Sequence, residues 1–204
     1  PGDNNVDLEY ARSRGIGVAN VAGYSTASVA QHTFAMYLYV AEKLRYFDEY
    51  VKSGGYAASD SFSNLQEKFS ELAGKTWGIV GLGAIGKRTA EIAEAFGCRV
   101  VYYSSSGKDR SPRYRRLELA ELLELSDVVS VHTPLTAATE KLFTYERFCQ
   151  MKPDAIFINV GRGPIVDEAG LLRALEEEKI AGAALDVLCT EPMAADNPLL
   201  AFQD

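Results

Sequence analysis

The chain has little with which to do thiol, metal or histidine chemistry. Its 204 residues hold three cysteines, Cys98, Cys149 and Cys189, an odd number with no CxxC spacing, set in apolar or helical stretches. That usage argues against a disulfide framework or a zinc site and suits reduced thiols, as in a cytoplasmic protein without a bound metal. Only two histidines occur, His32 and His132, so candidates for a general base are few. No apolar run approaches the roughly 20 residues needed to cross a bilayer. The start, Pro1-Gly2-Asp3-Asn4-Asn5, lacks the charged and apolar pattern of a signal peptide. Positive charge is in the minority, 21 Lys and Arg against 28 Asp and Glu for a net charge of −7. Such a surface repels nucleic acid and anionic membranes unless a local basic patch overrides it. The one such patch, residues 110–116 with four arginines and a proline, reads as a solvated loop.

What is present is a globular composition, 47% hydrophobic and 24% charged, sufficient for one domain and a fragment of a second. The pattern predicts a short helix over 7–13 ending at Gly15, a strand over 16–21, and one long, largely buried helix over 25–47. A helix of that length suits a connector between domains or a subunit interface. Residues 53–64, rich in Gly, Ser and Ala, read as loop. From Gly74 the texture becomes an alternation of short apolar runs and helical stretches. Strands are predicted at 76–80, 99–103, 128–131, 155–160 and 183–187, and helices at 85–95, 117–125, 145–151 and 168–177. Repeated units of this size imply an α/β fold with a parallel sheet covered on both faces.

Gly81-Leu82-Gly83-Ala84-Ile85-Gly86 follows the first of these strands directly and opens a helix. A GxGxxG in that setting is a dinucleotide-binding turn of a doubly wound, Rossmann-type sheet. Gly81 permits the tight turn, Gly83 lets backbone approach a pyrophosphate, and Gly86 lets helix and strand pack closely. The N–H groups of the helix start, with Ala84 and Ile85, then face the anion. At the end of the second strand an acidic residue would bind the adenosine ribose of NAD; Ser104 stands there, followed by Ser105, Ser106, Gly107 and Lys108. Without that carboxylate a 2′-phosphate is no longer repelled, and the hydroxyls with Lys108 or Arg110 suit it. The cofactor reads as NAD or NADP, with a lean to NADP.

Three further motifs carry a family resemblance. Val131-His132-Thr133-Pro134-Leu135-Thr136 is similar to a VHxPLT signature. Asn159-Val160-Gly161-Arg162-Gly163-Pro164-Ile165-Val166-Asp167-Glu168 resembles an NxxRGxxVDE block, and Leu185-Asp186-Val187 with Glu191-Pro192 an LDVxxxEP block. Together with Asn20-Val21-Ala22-Gly23-Tyr24-Ser25 they resemble, in order and spacing, the D-isomer-specific 2-hydroxyacid dehydrogenases. The resemblance implies hydride transfer between NAD(P)H and a small 2-oxo or 2-hydroxy acid. It gives Arg162 the substrate carboxylate and Glu191 the hydrogen bond that orients a catalytic histidine. Asp186 would contact the nicotinamide carboxamide, with a capping role as rival, and His132, Thr133, Pro134, Val160 and Gly161 would shape the cofactor pocket. His32, beside Gln31, is expected to make a structural polar contact. The family's own histidine lies beyond Asp204, so the chain is expected to bind dinucleotide without turnover.

On the same resemblance, residues 1–24 are a remnant of a flavodoxin-like substrate domain, 25–73 an interdomain helix and loop with a homodimer contact, and 74–204 the incomplete cofactor domain. A dinucleotide-sensing, corepressor-like interaction protein is the alternative on this fold. Glyoxylate, hydroxypyruvate, pyruvate, phenylpyruvate and phosphoglycerate remain open as substrates.

Overall fold

Apolar runs flanked by turns line up side by side into a sheet. The structure is a computed structural model and describes residues 6–21 and 23–202; the polar start at 1–5, Ala22 and the final residues 203–204 lie outside that set. Strands β1 (Thr76–Val80), β2 (Arg99–Tyr103), β3 (Arg115–Arg116), β4 (Val128–Val131), β5 (Ile156–Asn159) and β6 (Gly182–Leu185) form one sheet in the order β3-β2-β1-β4-β5-β6. Every neighbouring pair is parallel. This is the doubly wound α/β arrangement that the alternation predicts. The order reverses at β1, where Val80 pairs with Tyr103 on one side and Val131 on the other. Sheets of this kind bind ligands beyond the carboxyl ends of the strands at such a switch point.

Parallel strands need crossovers, and crossovers cover both faces, so β1, β4 and β5 are buried throughout. Helices α2 (Thr26–Ala41) and α4 (Ala84–Ala95) pack on one face over Trp77, Ile79, Tyr102 and Val128. Phe34 of α2 stacks on Trp77 with ring centroids 4.6 Å apart, and Tyr37 lies 5.2 Å from the same indole. The opposite face is closed by α5 (Leu119–Leu125), α6 (Tyr145–Phe148) and α7 (Glu168–Glu176) over Val129, Val131 and Phe157. Burying an aromatic of this size contributes about 2–3 kcal/mol, so the rings anchor both layers.

Three expectations are corrected. Residues 16–21 form no strand: Ile16, Val18 and Val21 are exposed, and among the described residues the segment has no strand partner, Ile16 N bonding only back to Ala11 O of the preceding helix. They follow α1 (Leu8–Ser13), whose first turn is capped by Asp7 through a hydrogen bond from Tyr10 N at 2.8 Å. The long helix is two helices, because Lys43 takes a left-handed φ of +52° and starts α3 (Leu44–Lys52), which buries none of its residues. No glycine or proline marks that break. The arginine-rich run is an edge strand in part: β3 pairs with Val101 and Tyr102, and Leu117 N donates to Tyr102 O at 2.8 Å. Arg113, Arg115 and Arg116 pair with Glu94, Glu121 and Glu118, which neutralises three of the patch's four arginines and leaves Arg110 on Ser106 Oγ. Among the described residues no helix is long and apolar enough to cross a membrane.

Candidate functional site

The chain leaves β1 through a turn whose three glycines are held for different reasons. Gly81 has φ +100°, and a Cβ there would sit 2.7 Å from Thr133 N at the end of β4. Gly86 is buried in α4, and a Cβ there would collide with the Gly81 carbonyl oxygen and press on Ile79. Both glycines are required by the protein's own packing. Gly83 is not: its φ is −81°, and nothing lies within 4 Å of where its Cβ would be. It is also the N-cap of α4 and supplies no side-chain capping bond, so the first N–H groups of the helix, with Ala84 and Ile85, are left for a ligand.

Those residues line an open cavity of about 210 Å³ together with His132, with Asn20, Val21 and Gly23, and with Ser25 and Thr26. The last two open α2, whose N-terminus also lacks a side-chain cap. Two helix N-termini therefore meet one cavity, and their partial positive charges favour an anion there. His132 Nε2 lies 2.9 Å from Ser130 Oγ, which accepts from Trp77 Nε1 at 2.8 Å. Burial pushes the imidazole down to about 3, so the ring is neutral at physiological pH and is no proton shuttle.

Beyond β2 the Ser104 side chain is buried and meets Ser106 Oγ at 3.1 Å. Exposed Ser105 reaches across to Thr133 Oγ1 at 3.3 Å, which joins the ends of β2 and β4. Arg110 donates to Ser106 Oγ at 3.3 Å. The nearby Asp109 accepts from Tyr102 OH and Ser111 N, and these bonds hold its carboxyl below the usual range. Pro134 is exposed at the same rim, its carbonyl accepting from Thr139 Oγ1 at 2.7 Å.

At the end of β5, fully buried Asn159 shapes the turn through Val160 and Gly161. Gly161 N donates to its Oδ1 and its Nδ2 donates to Arg162 O, each at 3.0 Å. The half-buried Arg162 folds one guanidinium nitrogen onto Gly161 O at 2.8 Å. Gly163 has no room for a side chain against the Leu188 backbone, which docks the Arg162 turn onto the loop carrying Glu191. Glu191 is exposed and accepts from Leu188 N at 2.9 Å. Asp186 meets His32 of α2, with Nε2 3.3 Å from Oδ1; this is the polar contact of His32.

A second, apolar groove of about 620 Å³ runs between α2, α7 and β6, lined by Met36, Leu171, Leu185, Met193 and Phe202 among others. Its lining holds no lysine or arginine and suits no small carboxylate.

The D-isomer specific 2-hydroxyacid dehydrogenase NAD binding domain matches residues 34–204. The chain belongs to that family. A glyoxylate reductase of Aeropyrum pernix is 41% identical over 209 residues, covering 100% of this chain and 62% of the relative. The NADPH-dependent glyoxylate/hydroxypyruvate reductase of Sinorhizobium meliloti superimposes with a TM-score of 0.86 at 32% identity, over 98% of this chain and 62% of its own. The D-lactate dehydrogenase of Aquifex aeolicus, complexed with NAD and lactic acid, gives 0.82 at 34% identity, over 97% and 62%. The chain thus spans 62% of the length of these relatives.

Within this dehydrogenase family member two of the three thiols are ill suited to nucleophilic chemistry. Burial pushes Cys98 up to about 11, and partial desolvation with the adjoining Glu168 carboxylate pushes Cys189 up to about 11, far from the thiolate a nucleophile needs. Among the described residues no cluster of three His, Cys, Asp or Glu has metal-binding geometry. The motifs contained Asn159 without marking it as a site residue, and its two hydrogen bonds identify it as what holds the Arg162 turn. Ser130 and Trp77 left no sequence signal; their bond to each other joins strands 53 positions apart.

Proposed function

We propose that this chain binds NAD(P) across its glycine turn as the cofactor-binding part of an oxidoreductase of 2-oxo and 2-hydroxy acids. The observation that carries this is Gly83. The fold has no need of a glycine there, yet the open space over its Cα adjoins an uncapped helix N-terminus and an anion-favouring cavity. A diphosphate fits that arrangement, with Gly83, Ala84 and Ile85 N–H groups as its donors. Gly81 and Gly86 shape the turn, Thr133, Pro134, Val160 and Gly161 wall the crevice, and Asp186 stands at the nicotinamide end.

Bound NAD(P)H supplies the hydride. In the whole protein Arg162 holds the substrate carboxylate by swinging its guanidinium from Gly161 O, since a planar fork suits a carboxylate bidentately. Glu191 orients the protonated partner of the substrate's C2 oxygen. The substrate is a small 2-oxo acid of the glyoxylate class, in line with the names of the relatives. The protein assembles as a homodimer, and the exposed Phe62, Leu65, Phe69 and Val51 on and after α3 are the apolar surface available to it.

NADPH is the preferred form. No acidic side chain is free at the end of β2, Asp109 being tied to Tyr102, while Arg110 and Ser105 stand at the rim. Calorimetric titration with NADPH and NADH tests the reading. NADPH is expected to bind at least about tenfold tighter, a charge-assisted contact being worth 1.5–3 kcal/mol, and Arg110→Ala to remove that margin alone. Binding of neither dinucleotide would refute the proposal.

A further inference from the structure

Ser130 is a hydroxyl at the centre of an apolar strand, fully buried. Side chains alternate along a strand, so Val128, Ser130 and His132 share the face covered by α2 and α4. On that face Trp77 Nε1, which can only donate, gives its proton to Ser130 Oγ at 2.8 Å. His132 Nε2 lies 2.9 Å from the same oxygen, while Nδ1 is buried and has no partner among the described residues.

These contacts decide where the imidazole proton sits. Suppose Nε2 carried it: Ser130 would accept twice, its own hydroxyl proton would have no acceptor, and the bare Nδ1 would be a second unpaired group. If Ser130 instead donates to Nε2, one polar group remains unpaired, the Nδ1–H. Each buried unpaired group bears a full desolvation penalty, so the second arrangement prevails. The ring is neutral and an N–H donor is held without an acceptor. Nothing among the described residues accepts this N–H, and His132 lines the cavity with Gly83, Ala84, Ser25 and Thr26, where a bound group can supply the acceptor.

We propose that Trp77 and Ser130 are positioning residues that fix His132 as the Nδ1–H tautomer, and that this N–H donates to an oxygen of the bound dinucleotide. The proposal rests on the cofactor reading above. It adds a fixed, uncharged donor to two helix N-termini at a site that holds a dianion. A neutral donor adds a hydrogen bond that does not switch off as the pH moves across the imidazole range.

Nitrogen-15 spectra of the ligand-free chain report the tautomer directly, and calorimetry reports NADPH affinity. The wild type is expected to show the Nδ1–H form. Ser130→Ala is expected to shift the ring toward Nε2–H and weaken NADPH binding about tenfold, the worth of one charge-assisted hydrogen bond. Ser130→Thr, which keeps the hydroxyl, is expected to restore both. A wild-type Nε2–H form, or unchanged affinity in Ser130→Ala, would overturn the proposal. If the wild type bound no dinucleotide, the cofactor reading and the donor role would fall together, while the tautomer would still report on the relay by itself.

Discussion

Asn159 grips both sides of the turn that presents Arg162, its Oδ1 accepting from Gly161 N and its Nδ2 donating to Arg162 O, each at 3.0 Å. The side chain is fully buried, so removing it leaves two backbone groups of a half-buried turn without their partners. Asn159→Ala is expected to cost about 2 kcal/mol, one for each hydrogen bond, measured by urea unfolding. In the whole protein it is expected to raise KM for the 2-oxo acid, because the arginine loses its fixed base. Unchanged stability and KM would show that the turn holds its shape without Asn159.

Gly83 and Gly86 lie three residues apart and are expected to respond in opposite ways to the same methyl group. At Gly86 the Cβ meets backbone of the Gly81 turn, which cannot yield as a flexible side chain does. The clash outweighs the gain of roughly 1 kcal/mol in helix propensity, so Gly86→Ala is expected to lose about 2 kcal/mol or more. Gly83→Ala meets nothing in the protein, so its melting temperature is expected to stay and its dinucleotide affinity to fall. Calorimetry beside thermal unfolding separates the two, and undiminished binding by Gly83→Ala would remove the main support for the cofactor site.

How far the sequence could be read depended on where each signal was written. The runs at 76–80, 99–103 and 128–131 became β1, β2 and β4 without adjustment, because an apolar run bounded by turns has little choice in a sheet covered on both faces. Lys43 broke a helix that composition leaves whole, since its left-handed φ of +52° is one that its residue type does not announce. Strand β3 was hidden because two arginines read as solvent-facing, whereas on this edge strand Arg115 is exposed and Arg116 is half-buried. The glycine turn and the Arg162 block were legible as motifs, since close backbone approach restricts residue type. The Trp77–Ser130–His132 contacts were not, since only the pairing of β1 with β4 brings those side chains together.

The pH dependence of stability has a worked sign. His132 titrates near 3 in the folded chain against 6.5 as its ordinary value, because burial disfavours the imidazolium. Between those values the unfolded chain binds a proton that the folded chain does not, so stability falls as pH is lowered through that window. The slope is about 1.4 kcal/mol per pH unit, or roughly 2 kcal/mol between pH 6.5 and 5. Asp127 contributes below its ordinary value of 3.8: burial raises its pKa, but hydrogen bonds from Lys152 and Thr76 N outweigh that and lower it. Urea unfolding near pH 7 and near pH 5 is expected to show the difference in the wild type and a flatter response in His132→Gln. Equal slopes would mean that the ring charges freely in the fold.

The end of α7 offers a change that should stabilise. Lys179 N bonds Ala174 O at 2.8 Å and Glu178 N bonds Leu175 O at 3.1 Å, the paired bonds of a helix end that reverses through a left-handed residue. That residue is Glu178, with φ +52°, where glycine is at ease and a Cβ costs about 1 kcal/mol. Its negative charge also sits at the helix end that repels it. Glu178→Gly is therefore expected to raise the melting temperature by about 2–4 °C for a chain of this length. The substitution frees more of the unfolded chain as well, which offsets part of the gain. A lowered melting temperature would mean that this entropy outweighs the strain relieved at one turn.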